Sequence, residues 1–336
     1  MIAEGPLPVT VQRHDRLSQG QRTQLLALVR SATGADGVAP LSEQALLAVR
    51  GAHPASGPVH FLGYAGRHLR GYAHLGAVAA DEPATAEVVV DPSWRRRGIG
   101  WSLIQVLEDH VGQVGSPGGG SLRLWSHGDL DAARALARHH GFTIVRELWQ
   151  MRRSLQPGSA PLPQVRLPDG FRARHFVVGH DEPAWLGVNA RAFADHPEQG
   201  RMTRDDVDRR IAEPWFDAEG FILIEDVRGP GPVLAASHWT KVVAADSQTS
   251  PSPGRPAGLP TGGEVYVVGV DPAYQGMGLG RSVTVLGLTH LRARGLAEAM
   301  LYVDGDNLAA VATYTGLDFN RFAVDIMYGR IVHTPM

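Results

Sequence analysis

At 336 residues the chain exceeds the roughly 100 to 150 residues that one core usually supports, and its 43% hydrophobic and 20% charged content is that of an ordinary globular protein. A net charge of −2 with dispersed arginines argues against a nucleic-acid footprint, and no apolar run reaches the roughly 18 residues of a membrane span. There is no cysteine, which removes disulfides, thiolate zinc ligands and a cysteine nucleophile together, and the 15 histidines show no metal-ligand spacing. Residues 1–10 lack a basic stretch followed by an apolar core, so a cytoplasmic location is expected.

In chain order, leucines at helical spacing predict helices over 21–30 and 42–50, the second opened by Ser42 and stopped by Gly51. Strands are expected at 59–65 and 69–78, then an apolar stretch at 88–90, a glycine-rich turn and a helix over 99–111. Strand, helix and strand close this half. Residues 156–169, rich in proline and glycine, read as a linker between domains at 1–155 and 170–336. Beyond it the order repeats, with strands at 221–227 and 233–243, an apolar stretch at 265–270, a turn and a helix over 279–292. The low-complexity run 246–263 is expected to be a disordered insertion. The fold class is therefore α/β, as two tandem domains, each with a mixed central sheet flanked by helices.

The repeat is visible in the letters. EVVVDPSWRRRGIG at 87–100 matches VVGVDPAYQGMGLG at 267–280, an offset of 180; LWSHGDLDAARALARHHGF at 124–142 matches LYVDGDNLAAVATYTGLDF at 301–319, an offset of 177. Two matches in one order indicate a duplicated domain. In both copies a strand and an Asp-Pro pair lead into a turn of the form R/Q-x-x-G-x-G that opens a helix. Glycines let backbone approach an anion, and the first helical N–H groups point at it, so a diphosphate is the natural guest. Neither the dinucleotide fingerprint nor Gly-Lys-Ser/Thr is present.

On these residues the chain resembles the GNAT superfamily of acyl-CoA N-acyltransferases. Segments FADHPEQG (193–200), EPWFD (213–217), HWTKV (238–242), EVYVVGVDP (264–272) and 301–314 are similar to the narrower mycothiol synthase family. The resemblance implies acetyl-CoA as co-substrate, bound in the first copy by Val88, Val89, Val90, Arg96, Arg97, Gly98, Ile99, Gly100 and Trp101. In the second copy it implies Val268, Gly269, Val270, Gln275, Gly276, Met277, Gly278, Leu279, Gly280, Arg281, Asn307, Leu308, Ala309, Ala310, Val311 and Ala312. Three positions depart from the family: the insertion after Val243, Met277 in place of a common basic residue, and Asp318 in place of a glycine.

Acetyl transfer needs a neutral amine, stabilisation of an oxyanion and a proton for the leaving thiolate. Alignment of the copies sets Glu264 opposite Ala84 and Tyr314 opposite Ala137, so only the second copy keeps a base and an acid. The resemblance implies that Tyr314 protonates the sulfur, and that Glu43, Glu198, Lys241, Glu264 and Tyr302 hold the cysteinyl-glucosaminyl-inositol acceptor that yields mycothiol. Transfer to another small amine or to a protein N-terminus, and a chain that only senses acetyl-CoA, stay open at this level. No metal, nucleic-acid or membrane partner is expected, and the chain is read as a monomer.

Overall fold

The computed structural model describes residues 9–50, 57–78, 82–114, 120–194, 197–242 and 262–332, without the side chains of Glu43, Pro197 and Glu198. Residues 246–261 of the expected insertion lie outside the described residues. The chain divides into two compact units.

The first unit contains β1 (Val9–His14), α1 (Gln19–Asp36), α2 (Glu43–Arg50), β2 (Val59–Ala65), β3 (His68–Leu75), β4 (Ala84–Val90), α3 (Ile99–Val114), β5 (Gly120–Ser126), α4 (Asp131–His139) and the start of β6 (Thr143–Ser154). Strands β1 to β4 run antiparallel to their neighbours and β4 runs parallel to β5. Strands β2 and β3 are buried almost throughout because both faces are covered. Phe61, Ala73 and Leu75 face a cluster with Leu103 and Leu107 of α3. Leu62 and Tyr72 face Leu25, Leu28 and Val29 of α1. Ser18 closes a capping box with Gln21, and Gly37 ends α1 in the left-handed conformation.

The second unit takes the end of β6, then β7 (Phe171–His175), α5 (Glu182–Ala192), α6 (Pro197–Gly200), α7 (Arg204–Ile211), β8 (Phe221–Asp226), β9 (Val233–Val242), β10 (Gly263–Val270), α8 (Leu279–Ala293), β11 (Glu298–Asp304), α9 (Leu308–Thr315) and the first residues of β12 (Asn320–Val332). Its strand order is β6-β11-β10-β9-β8-β7, with β10 parallel to β11. Helix α8 covers one face through Val283, Val285 and Leu288, while Trp185 and Val188 of α5 and Val207 of α7 cover the other, against Phe221, Leu223 and Trp239.

The units do not follow the two halves of the sequence. From Ala323 the chain belongs to the first unit, where residues 326–332 of β12 pair antiparallel with β5. Residues 149–154 of β6 belong to the second unit beside β11, and the 156–169 stretch lies wholly within that unit. Sequence punctuation marks where a chain can bend; which sheet edge a strand completes depends on the free backbone waiting there.

Candidate active site

The site of the second unit starts from a break in its sheet. The parallel ladder between β10 and β11 covers only Gly263↔Ala299 and Glu264↔Met300 among the described residues. A bulge follows at once, shifting register with β9 between Val265 and Val267. Residues 265–270 therefore carry backbone groups on the β11 side that no ladder uses and that are open to water or a ligand. In the first unit the corresponding ladder runs from Ala84 to Glu87 before it ends.

Each opened strand leads into the turn in the same way. Asp271 caps a short 3-10 turn (Pro272–Tyr274) by accepting the Ala273 N–H at 3.0 Å, and it is held by Arg191 at 2.6 Å. Asp91 caps Ser93 and is held by Arg70 at 2.6 Å. Gly276 and Gly278 sit at φ 78° and 76°, and an added Cβ at either would meet nothing within 4 Å, so conformation and not space selects glycine. In the first copy the position of Gly276 is Arg96 at φ 62°, a left-handed conformation that costs an L-residue about 1 to 2 kcal/mol. Ser282 and Ser102 close the first helical bonds to Gly278 and Gly98, which leaves the N–H groups of residues 279–281 and 99–101 pointing out of the two helices. Of the arginines in the first turn, Arg95 is tied to Asp36 by two bonds of 2.7 and 2.6 Å, and Arg97 lies over Trp94. The groups this turn leaves free to meet an anion are the backbone N–H groups themselves.

Around this opening the second unit gathers its polar residues on one sheet face. Glu264 stands directly across β9 from Lys241 and across β11 from Met300, and Tyr302 follows two residues along β11 on the same face. Gln150 donates to the Tyr302 hydroxyl at 2.8 Å. The Lys241 ammonium lies 5.0 Å from the Trp215 ring and 5.3 Å from the Tyr266 ring, and Arg210 donates to the Tyr266 hydroxyl at 2.8 Å. Trp215, Tyr266 and Arg210 were not singled out from the sequence; the spacing of Trp215 in EPWFD and the bulge at Tyr266 carry no periodic signal that could have done so.

Tyr314 projects from α9, whose Asn307 cap accepts the Ala310 N–H at 3.1 Å. Its ring lies edge-on against Phe319, and it borders the same apolar cluster as Val268 of the opened strand and Val311. Burial pushes its phenol up to about 12, so it stays neutral at ordinary pH. The structure thus brings together the opened strand, the turn and Tyr314, and separately places Glu264, Lys241 and Tyr302 on one face. The side chains of Glu43 and Glu198 lie outside the described residues.

The sequence segments that resembled a family acquire physical reasons. In HWTK, His238 is fully buried, donates from Nδ1 to the Val283 carbonyl at 3.0 Å, and occupies the space that a Cβ on Gly287 would need. Trp239 centres an aromatic cluster with Trp185, Trp215 and Phe221, and Thr240 donates to the Gly220 carbonyl at 2.8 Å. Only Lys241 reaches the polar face. In HPEQG, Gln199 exchanges two hydrogen bonds with Asn189, and Gly200 passes too close to the Phe193 carbonyl for any side chain. Among the described residues no cluster of three or more His, Asp or Glu could hold a metal ion, and no helix is long and apolar enough to cross a membrane.

Comparison with known proteins agrees with this geometry. The profile of the acetyltransferase (GNAT) family matches residues 32–142 and 248–319. A protein of Thermobispora bispora named mycothiol acetyltransferase is 48% identical over 96% of this chain and 100% of its own length. One of the same name from Thermomonospora curvata is 49% identical over 94% and 95%. Among solved structures, a GCN5-related N-acetyltransferase from Sphaerobacter thermophilus superposes with a TM-score of 0.71 at 20% identity over 98% of each chain. A tandem GNAT protein from the clavulanic acid pathway does so with 0.69 at 16% identity, over 98% of this chain and all of its own. The chain belongs to the acetyltransferase (GNAT) family and, within it, to the mycothiol acetyltransferases.

Proposed function

We propose that the second unit transfers the acetyl group of acetyl-CoA to the cysteinyl amine of a cysteinyl-glucosaminyl-inositol acceptor, forming mycothiol. The observation that carries this is the parting of β10 from β11 directly after Glu264, which leads backbone outside the ladder into the turn at residues 275–281, while Tyr314 and Val268 of the same strand border one apolar cluster. The chain fits coenzyme A there: strand backbone for the pantetheine amides, free helix N–H groups for the diphosphate. The N-terminal relatives of such amines titrate near 7.7 to 8.0, so a fair fraction is neutral at pH 7 and needs modest base assistance.

In the reaction the amine nitrogen attacks the thioester carbon and Glu264 takes its proton, directly or through a water. A backbone N–H of residues 268–270 stabilises the oxyanion. The C–S bond then breaks and the Tyr314 phenol gives its proton to the sulfur. Lys241 and Tyr302, on the face that holds Glu264, are assigned to the acceptor together with Glu198. The first unit keeps the opened strand and turn but has Ala84 and Ala137 at the two reactive positions, and is assigned acetyl-CoA binding without turnover.

The test follows coenzyme A release with this acceptor and with simple amines. Tyr314→Phe is expected to lower kcat by about 100-fold or more while the KM for acetyl-CoA stays within about twofold. Unchanged kcat would remove Tyr314 from the acid role, and turnover of simple amines alone would replace the acceptor.

A further inference from the structure

The first unit holds a cavity of about 440 Å³. Its walls run from the turn, at Arg96, Gly98 and Gly100, back along residues 88–90 of β4, and it is otherwise bounded mainly by apolar side chains of α3, β5 and α4. Two side chains in the lining are polar and carry a buried atom unaccounted for by the turn. Tyr328, brought in by β12 opposite Leu124, is only 4% exposed, and its hydroxyl has no hydrogen-bond partner among the described residues. His127, just past the end of β5, bonds Asp325 through Nδ1 at 3.0 Å, while its buried Nε2 lies 3.9 Å from a Glu87 carboxylate oxygen, too far for a hydrogen bond.

These groups specify a ligand. A buried hydroxyl without a partner is costly, so the cavity is built for something that accepts from it. The acceptor must be uncharged, because Glu87 and Asp325 already place two carboxylates beside one imidazole. Glu87 is also engaged by the Ser42 N–H at 2.7 Å and cannot serve as a free base. An acyl carbonyl meets these conditions; a free thiol, a weak acceptor, does not. Tyr328 shares its apolar cluster with Ala137, the counterpart of Tyr314, so the last strand of the chain returns a phenol to a cavity whose helix has lost one.

We propose, on the reading that the first unit binds coenzyme A, that Tyr328 and His127 make its cavity selective for the acylated thioester over free coenzyme A by donating to the acyl carbonyl. The cavity then stays filled by donor as product accumulates in the second unit.

The test uses the full chain carrying Gly278→Val, which silences the second turn, titrated calorimetrically with acetyl-CoA and with coenzyme A. One equivalent of either should bind, with acetyl-CoA preferred by about tenfold, the worth of one well-made hydrogen bond. Tyr328→Phe, which removes one oxygen and keeps the packing, should bring the two affinities within about twofold and leave that for coenzyme A unchanged. His127→Gln should narrow the preference in the same direction. Equal affinities in the parent chain, or a preference that survives Tyr328→Phe, overturns the selectivity while leaving coenzyme A binding intact. Failure of both nucleotides to bind overturns the reading of the first unit itself.

Discussion

The two units run the same strand, turn and helix with different interiors, and under the proposed function the difference is that between holding a thioester and using one. In the second unit the sheet opens after two paired residues, at Glu264, and Tyr314 sits on α9, the helix that follows β11. In the first the ladder persists to Glu87, alanines stand opposite Glu264 and Tyr314, and a part-buried network of Ser42, Glu87, His127 and Asp325 lies beside the cavity. The turns differ as well: the second uses Gly276 where the first holds Arg96 in a strained conformation. Retaining such strain in a copy without acid or base is expected where the turn still has a ligand to grip.

The hardest test of this contrast is a matched pair of substitutions. Gly278→Val places a β-branched residue at φ 76° in the second turn and is expected to reduce kcat/KM by at least about 100-fold. Gly98→Val does the same at φ 84° in the first turn and should leave kcat/KM within about threefold. The reverse pattern would move the active site to the first unit.

A second contrast lies in two histidines, one buried and one partly buried, with opposite titration. Burial holds His238 of the second unit down to about 4, against an ordinary value of 6.5. Its stabilising contribution is therefore present above pH 6.5 and is lost as pH falls toward 4, a difference of about 3 kcal/mol at 1.36 kcal/mol per unit. For His127 of the first unit, burial also opposes the charge, but Asp325 and Glu87 outweigh it and push the ring up to about 9. That contribution is full below 6.5 and is lost as pH rises through 9. Hydrogen exchange followed from pH 4 to 9 should show the second unit loosening first in acid and the first unit loosening first in base; simultaneous loss at both ends would refute the separate assignments. The smallest effect concerns the turns. Arg96→Gly is expected to raise stability by about 1 kcal/mol or less, since relief of the left-handed strain is partly offset by the entropy of glycine, and a denaturant titration would show it as a higher midpoint.

Much of this was legible in the chain. The helix starting at Leu279 and the strand at 59–65 fall where periodicity put them, and the predicted strand at 221–227 ends one residue earlier, at Asp226. The missed pieces have identifiable causes. Strand β1 is six residues long with an uneven burial pattern, and β7 alternates poorly, because each lies at the edge of its sheet and has one neighbour to pack against. The cage around Lys241 joins residues from α7, β9, β10 and the stretch before β8, a convergence invisible along any single segment. His238 and Gly287 likewise read as an unremarkable histidine and a helix-weakening glycine until packed together. In the first unit their counterparts by register and offset are Ala73 and Leu107, small facing large in the opposite order.

By itself the sequence determined the duplication, the two glycine turns, and the survival of Glu264 and Tyr314 in one copy alone, because turn geometry and reactive side chains are local properties written in residue type and spacing. Only the tertiary structure decided where β10 leaves β11, which sheet edge receives β12, and that Tyr328 and His127 enter the first cavity. Those outcomes depend on contacts between segments far apart in the chain, where burial and the satisfaction of backbone hydrogen bonds choose among partners that no local pattern distinguishes.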